Sequence, residues 1–258
     1  DWKNKNPQKK SMKKKIICFI PARLKSSRFP NKMIFKIKGK KIVNFVYDIC
    51  KKNPSIEEVY VATCDKIIKN ISTKNNAKVI MTSSKHKDCI SRIVEAVKKK
   101  GKSIKLSDYI LIVQGDEVCI SDKILNDFCK IIRKKNLNYY NLISKINLKK
   151  DLLSDSIIKC AINNKDEIIF MTRNPIPYEK NFKLKKINTY RQTGVIAFTK
   201  KTLLDYSKLK QNYLEKYESI DMLRIIENGL KIQAYKVKKR MIGVDTPKDY
   251  REVKKILK

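Results

Sequence analysis

An α/β fold, a mostly parallel sheet with a smaller β-rich lobe, is predicted by two features of the sequence. Short β-branched runs alternate with stretches of helical period through the first half, which is the pattern of strands joined by crossover helices. From about residue 137 the strands crowd together, which suggests antiparallel additions forming a lobe or dimer arm within about 137–200. The first strand is Ile16–Ile20, followed by a helix over Ile42–Lys52, a strand at Val59–Thr63 and a helix over Lys66–Lys74. A strand at Lys78–Met81, a helix over Cys89–Lys100 and the wholly apolar strand Tyr109–Val113 follow. Asp122 is read as the N-cap of a helix running to about Lys135. Strands are then expected near Leu142–Asn147, Ile157–Asn163, Ile168–Phe170, Gln192–Phe198 and Leu230–Val237. A helix over Lys216–Asn228 ends at Gly229 in the C′ position. Thr246 and Pro247 form the start of a last helix, with Pro at its favoured first position.

Composition bounds the chemistry. The 258 residues carry 61 Lys+Arg against 25 Asp+Glu, a net charge of +36, and a single histidine, His86. One imidazole excludes multi-His zinc sites, so acid–base work falls to carboxylates, lysines or metals. The charge invites a nucleic-acid partner, but only nine of the basic residues are Arg, and Lys, Ile and Asn supply 109 positions spread throughout. A nucleic-acid reader is expected to favour Arg and to gather charge on one face, so no nucleic-acid partner is predicted. The same field steers small anionic substrates. Seven scattered cysteines without a C-x-x-C pair indicate reduced thiols and a cytoplasmic setting. No apolar run reaches the ~18 residues that span a bilayer, so no membrane insertion is expected. Residues 1–15 read as a basic disordered tail before one domain over 16–258.

Three loops carry the candidate chemistry. The segment after the first strand places Arg23, Arg28 and Lys32 at the carboxyl end of a strand, where open α/β sheets bind ligands. Spaced cations and backbone amides there suit a polyphosphate. The buried strand Ile110–Val113 runs into Gln114-Gly115-Asp116-Glu117, and Asp116 is a natural ligand for a Mg²⁺ ion bridging phosphates. A plain turn, with Gly115 at positive φ and Asp116 in local amide bonds, is the alternative. Asp245, in Gly243-Val-Asp-Thr-Pro-Lys-Asp249, has plain helix capping as its competing role. Glu95, Asp65 and Asp249 are assigned to solvated or capping roles. One basic loop and two carboxylates after strand ends make phosphoryl or nucleotidyl transfer over Mg²⁺ the best single explanation.

These residues fall in eight ordered blocks: IPARLKSSRFPNKMI with Lys38-Gly39-Lys40, VATCD (61–65), MTSSKH (81–86), VQGDE (113–117), TRNPIPY (172–178), RQTGVIAF (191–198), LEKYESIDMLR (214–224) and GVDTPKD (243–249). From Ile16 to the C-terminus the chain thereby resembles the 3-deoxy-manno-octulosonate cytidylyltransferases, which make CMP-Kdo. The resemblance implies a Rossmann-like nucleotide-diphospho-sugar transferase fold, transfer of CMP from CTP to a Kdo-like sugar acid with release of pyrophosphate, a Mg²⁺ cofactor and a homodimer. It implies nucleotide binding by Ala22, Arg23, Arg28, Lys32 and Arg92, with Arg23, Lys32 and Asp116 catalytic. Asp116 and Asp245 would hold metal, and Gln114, Arg173, Gln192 and Glu218 the sugar. The chain departs from the family pattern at Asp88-Cys89-Ile90-Ser91, where a Gly is lost, and at Gln192, Ile196 and Met222, where His, Tyr and Gln are usual. The last three imply a modified acceptor, 8-amino-Kdo or a nonulosonic acid, as an alternative. A basic nucleic-acid or membrane-surface protein is the alternative of another class.

Overall fold

The computed structural model describes residues 14–86, 88–178, 180 and 188–257. Most of the predicted tail, residues 1–13, lies outside them. Strand β1 (Ile16–Ala22) is buried along its whole length and lies parallel to β4 (Glu58–Thr63) on one side and β6 (Tyr109–Val113) on the other. Between β1 and β4 the chain makes a 3-10 turn at Lys32–Ile34, a two-residue ladder of β2 (Lys36–Ile37) with β3 (Lys40–Lys41), and helix α1 (Ile42–Lys52). Helix α2 (Lys66–Lys74) leads to the edge strand β5 (Lys78–Met81), and α3 (Cys89–Lys100) crosses back to β6.

The order continues through α4 (Asp122–Lys135), β7 (Tyr139–Lys145), α5 (Lys149–Leu153), β8 (Lys159–Ile162), β9 (Glu167–Thr172), β10 (Tyr190–Thr199) and α6 (Lys200–Tyr206). It ends with α7 (Tyr213–Glu218), α8 (Leu223–Glu227), β11 (Ile232–Val237) and α9 (Pro247–Ile256). The nine long strands form one sheet in the order β5-β4-β1-β6-β10-β7-β11-β9-β8.

Alternation along the central strands sets the layers. Ile16, Cys18 and Ile20 of β1, with Tyr109, Leu111 and Val113 of β6, face a core filled by Val46 and Cys50 of α1 and Phe128 and Ile132 of α4. Ile17, Phe19, Ile110 and Ile112 face the opposite core, filled by Ile93 and Val97 of α3, Leu203 of α6 and Leu223 of α8. Each such fully buried side chain stabilises the fold by about 1.5–3 kcal/mol before cavity effects.

The lobe is made by one strand doing two jobs. A register shift between Gln192 and Ile196 divides β10: Val195–Thr199 pair with β6, whereas Tyr190 and Arg191 pair with β8. Strands β7, β11, β9, β8 and β10 thus close into a ring. Asn141 Nδ2 donates to the Thr193 and Val195 carbonyls, both at 3.1 Å, and so satisfies the backbone left unpaired at the bulge.

Several boundaries differ from the sequence expectations. Ser121, not Asp122, caps α4, its Oγ accepting from Ile124 N at 3.4 Å. Strand β7 lies earlier than Leu142–Asn147, β9 is longer than Ile168–Phe170 and β11 begins at Ile232. The helix expected over Lys216–Asn228 is two short ones, broken where Ser219 takes φ 54°. Gly229, at φ 71°, does follow α8 in the C′ position, and Thr246 with Asp249 forms a full capping box on α9. Strands β8, β9 and β10 add antiparallel as expected, but β11 enters the lobe parallel to β7. Among the described residues no helix is long and apolar enough to cross a membrane.

Candidate active site

The site forms where β1 and β6 end side by side. Asn31, in the left-handed conformation that Asn tolerates, donates its N–H to the Leu24 carbonyl at 3.0 Å and closes the basic loop. Leu24 N is anchored in turn on Asp65 Oδ2 at 2.9 Å, so Asp65 ties down the loop rather than merely starting α2. Gly115 is not at positive φ; it is glycine because a Cβ would lie 3.1 Å from Met33 Sδ and 3.3 Å from the Pro21 carbonyl. The Asp116 carbonyl accepts from Val244 N at 3.1 Å, which brings the Gly243–Asp245 segment onto the end of β6.

Four residues from three distant segments converge here. Lys32 Nζ donates to Asp116 Oδ2 and, at 2.9 Å, to Asp245 Oδ1, while Arg28 Nη2 lies 3.1 Å from the same Asp245 oxygen. Lys32 and Asp116 are each 7% exposed. Burial alone lowers the Lys32 pKa, but the Asp116 and Asp245 carboxylates outweigh it and hold the ammonium above the usual lysine range. Burial likewise opposes ionisation of Asp245, and Lys32 and Arg28 reverse it. Asp245 therefore stays anionic at neutral pH.

Two chambers meet at this cluster. The larger, about 640 Å³, is lined by Ala22, Arg23, Arg28, Lys32 and Arg92. The smaller, about 210 Å³, is lined by Arg173, Arg191, Gln192, Ile196 and Met222. Gln114, Asp116, Asp245, Cys89 and Asp221 belong to both walls. Arg92 is buried in that wall with its guanidinium on Thr82 Oγ1 at 2.7 Å, a bond that fixes its position. Gln114 is seated by a bare glycine: a Cβ on Gly194 would lie 2.6 Å from the Gln114 side chain.

Glu218 is placed differently from its expected sugar contact. It is not among the residues lining either chamber; its carboxylate accepts from Thr172 Oγ1 at 2.5 Å and Arg173 N at 2.9 Å, and thereby holds Arg173 in place. His86 and Glu95 bond to each other, with Lys99 on Glu95 at 2.8 Å. The single imidazole therefore lines neither chamber.

Two site residues were not foreseen. Asp221 follows the break at Ser219, and burial, then the Asp88 and Glu215 carboxylates, push it up to about 7. Glu117 is 6% exposed; its Oε1 accepts from Gly194 N at 2.5 Å and its Oε2 has no partner among the described residues. Burial, then the neighbouring Asp116 carboxylate, push Glu117 up to about 7. A carboxyl raised on folding contributes stability that is present below its ordinary pKa and lost as pH rises through about 7. Glu117→Gln removes that titration, so between pH 4 and pH 8 the variant should gain on the order of 2–3 kcal/mol relative to wild type. Urea unfolding of both proteins at the two pH values checks this; a pH-independent difference between them would refute it.

The donor set fits a hard divalent cation. Two carboxylates converge on a single ammonium, as they could on Mg²⁺ completed by phosphate and water oxygens. Among the described residues no group of three or more His, Cys, Asp or Glu gathers, so no all-protein cage exists.

Comparison with known proteins agrees with this fold. The cytidylyltransferase family model matches residues 17–232. A 3-deoxy-manno-octulosonate cytidylyltransferase of Thermodesulfovibrio yellowstonii is 32% identical over 248 residues, covering 93% of this chain and 97% of that one. One from Francisella tularensis subsp. holarctica is 33% identical, covering 93% and 98%. A CMP:2-keto-3-deoxy-manno-octonic acid synthetase solved in complex with CTP superposes with a TM-score of 0.83 at 28% identity, covering 94% of this chain and 98% of that one. With a nucleotide-sugar transferase fold, a cationic loop facing two carboxylates and relatives spanning nearly its whole length, the chain belongs to the cytidylyltransferase family.

Proposed function

We propose that the chain transfers CMP from CTP to the anomeric hydroxyl of a 3-deoxy-manno-octulosonate-like sugar acid, releasing pyrophosphate. The observation that carries this reading is the meeting of a large cation-lipped chamber with a smaller one at Asp116 and Asp245. A triphosphate in the larger chamber and a sugar acid in the smaller then face each other across those carboxylates. Ala22, Arg23, Arg28 and Lys32 hold the phosphates, with Arg giving forked contacts and Lys a point charge, and Arg92 supports the wall. In the smaller chamber Arg173 and Gln192 face the acid and Gln114 spans both substrates; Glu218 acts by holding Arg173. Asp116 and Asp245 would hold Mg²⁺, which when bound offsets charge on the phosphoryl oxygens. The protein's own contribution is in-line positioning and a fixed positive field where that charge develops, and it asks no covalent step of any side chain. Such chemistry suits a site with no imidazole in its walls.

A second reading concerns the acceptor. Gln192, Ile196 and Met222, the three departures on the sugar side, all line the smaller chamber. A changed wall favours a modified acid, 8-amino-Kdo or a nonulosonic acid, over Kdo itself. In this proposal the enzyme works in the cytoplasm, consistent with seven free thiols among the described residues, and pairs as a homodimer through the β-rich lobe of its single domain.

Pyrophosphate release with Mg²⁺, each of CTP, UTP, ATP and GTP, and a panel of Kdo, 8-amino-Kdo, sialic and legionaminic acids tests both readings. CTP with one acid is the expected productive pair. No release from any pairing by folded protein would overturn the proposal.

A further inference from the structure

Lys159 in β8 is fully buried, with 0% exposure, and no carboxylate lies within ion-pair distance of it among the described residues. Its ammonium donates instead to three backbone carbonyls: Ser154 at 2.6 Å, Ile157 at 2.9 Å and Arg173. A buried ammonium is costly unless its donors are satisfied, and a lysine held there by carbonyls rather than by a contacting carboxylate needs a reason beyond packing.

The carbonyls supply one. Ser156, Ile157 and Ile158 form one part of the smaller chamber's wall and Arg173 another, and Lys159 is the atom-level link between them. Its backbone is fixed from both sides, opposite Thr172 of β9 and Arg191 of β10. The Arg173 guanidinium extends the arrangement, with Nη1 on the Asp155 carbonyl at 2.9 Å and Nε on the Glu218 carbonyl at 2.9 Å. Two cations thus hold a wall of carbonyls whose dipoles would otherwise point at one another. The larger chamber's walls do not include Ser154–Ile158 or Arg173; Ser219, whose carbonyl accepts from Arg173 Nη2 at 3.4 Å, is a point that the two walls share.

We propose that Lys159 is the positioning residue of the smaller chamber, fixing the Ser154–Ile158 segment against Arg173 so that the wall is shaped for an anionic acceptor before it arrives. This rests on the reading of that chamber as the acceptor site. Lys159 touches neither substrate; it acts through Arg173 and the segment it ties down.

Lys159→Met keeps the unbranched shape of the side chain, one atom shorter, and removes its donors. The acceptor KM should rise about tenfold or more, with kcat moving far less, while CTP affinity measured by calorimetry without acceptor stays within about twofold of wild type. A loss shared equally by acceptor and CTP, or no change in either, would overturn the assignment. Should the variant fail to fold, the wild type gives a second measurement. Burial lowers the Lys159 pKa to about 8, with Asp155 and Glu218 raising it and Arg173 and Arg191 lowering it further. The acceptor KM of wild type should therefore climb between pH 7 and pH 9.5 while CTP affinity does not follow; a flat acceptor KM refutes the role. Wild type silent with every sugar acid overturns the acceptor-site reading and this proposal with it, whereas active wild type matched by Lys159→Met overturns this proposal alone.

Discussion

Asp116→Asn is expected to lower CMP transfer by about 10²–10³-fold, the scale of losing one preorganised electrostatic group at a reacting centre. The substitution conserves shape and leaves an oxygen to accept from Lys32 Nζ, so the hydrogen-bond geometry survives while the charge is lost. Lys32 retains the Asp245 carboxylate at 2.9 Å, hence no unpaired ammonium is left buried. The cost to folding should accordingly stay near 1–2 kcal/mol, about 2–4 °C per kcal/mol in a domain of this size. Asp245→Asn should lose turnover in the same way, since its carboxylate faces both chambers and completes the anionic pair. Pyrophosphate release and thermal unfolding of the two variants separate activity from stability. Turnover within twofold of wild type in both would remove these residues from the catalytic centre.

The central sheet was legible because β1 and β6 are buried on both faces and read as unbroken apolar runs, and the last helix because Thr246 and Pro247 supply a recognisable start. The lobe was legible only as a change of rhythm. Its closure depends on β10 pairing with β6, β7 and β8 through a bulge, and neither a register shift nor a ring leaves a periodic mark on the sequence. Ser219 shows the same limit: nothing in Glu218-Ser219-Ile220 announces a left-handed residue, so one long helix was read where two short ones stand.

In the site, the chemistry-bearing types were visible and their partners were not. Arg28, Lys32, Asp116 and Asp245 stood out as cations and carboxylates after strand ends, but their convergence needs Val244 N on the Asp116 carbonyl, a backbone bond without a side-chain signature. The resemblance of the block around Glu218 points to a substrate ligand, whereas its carboxylate accepts from Thr172 Oγ1 and Arg173 N. Lys159 was hidden among 61 basic residues, and only its burial distinguishes it.

Lys32→Met should produce the largest loss of stability at the site. Lys32 separates two carboxylates, and Arg28, largely at the surface, is bonded to Asp245 alone among the described residues. Removing the ammonium leaves Asp116 and Asp245 facing each other in a poorly solvated position, and breaking a buried ion pair in this way costs about 3–5 kcal/mol. The pH dependence follows from which group changes. In wild type the raised Lys32 pKa gives a contribution present below the ordinary lysine pKa and lost only as pH rises through the higher folded value, so it is constant across neutral pH. In the variant the titrating groups are the two carboxylates, each now pushed upward by the other. Its deficit should be greatest near pH 8 and shrink as the pH is lowered and their mutual repulsion is relieved. Without the ammonium the same oxygens offer a hard divalent site, so Mn²⁺ or Mg²⁺ should raise the melting temperature of the variant more than that of wild type. A variant as stable as wild type at pH 8 and indifferent to divalent cations would mean that Lys32 does not hold the two carboxylates together, and that the anionic pair is kept by Arg28 instead.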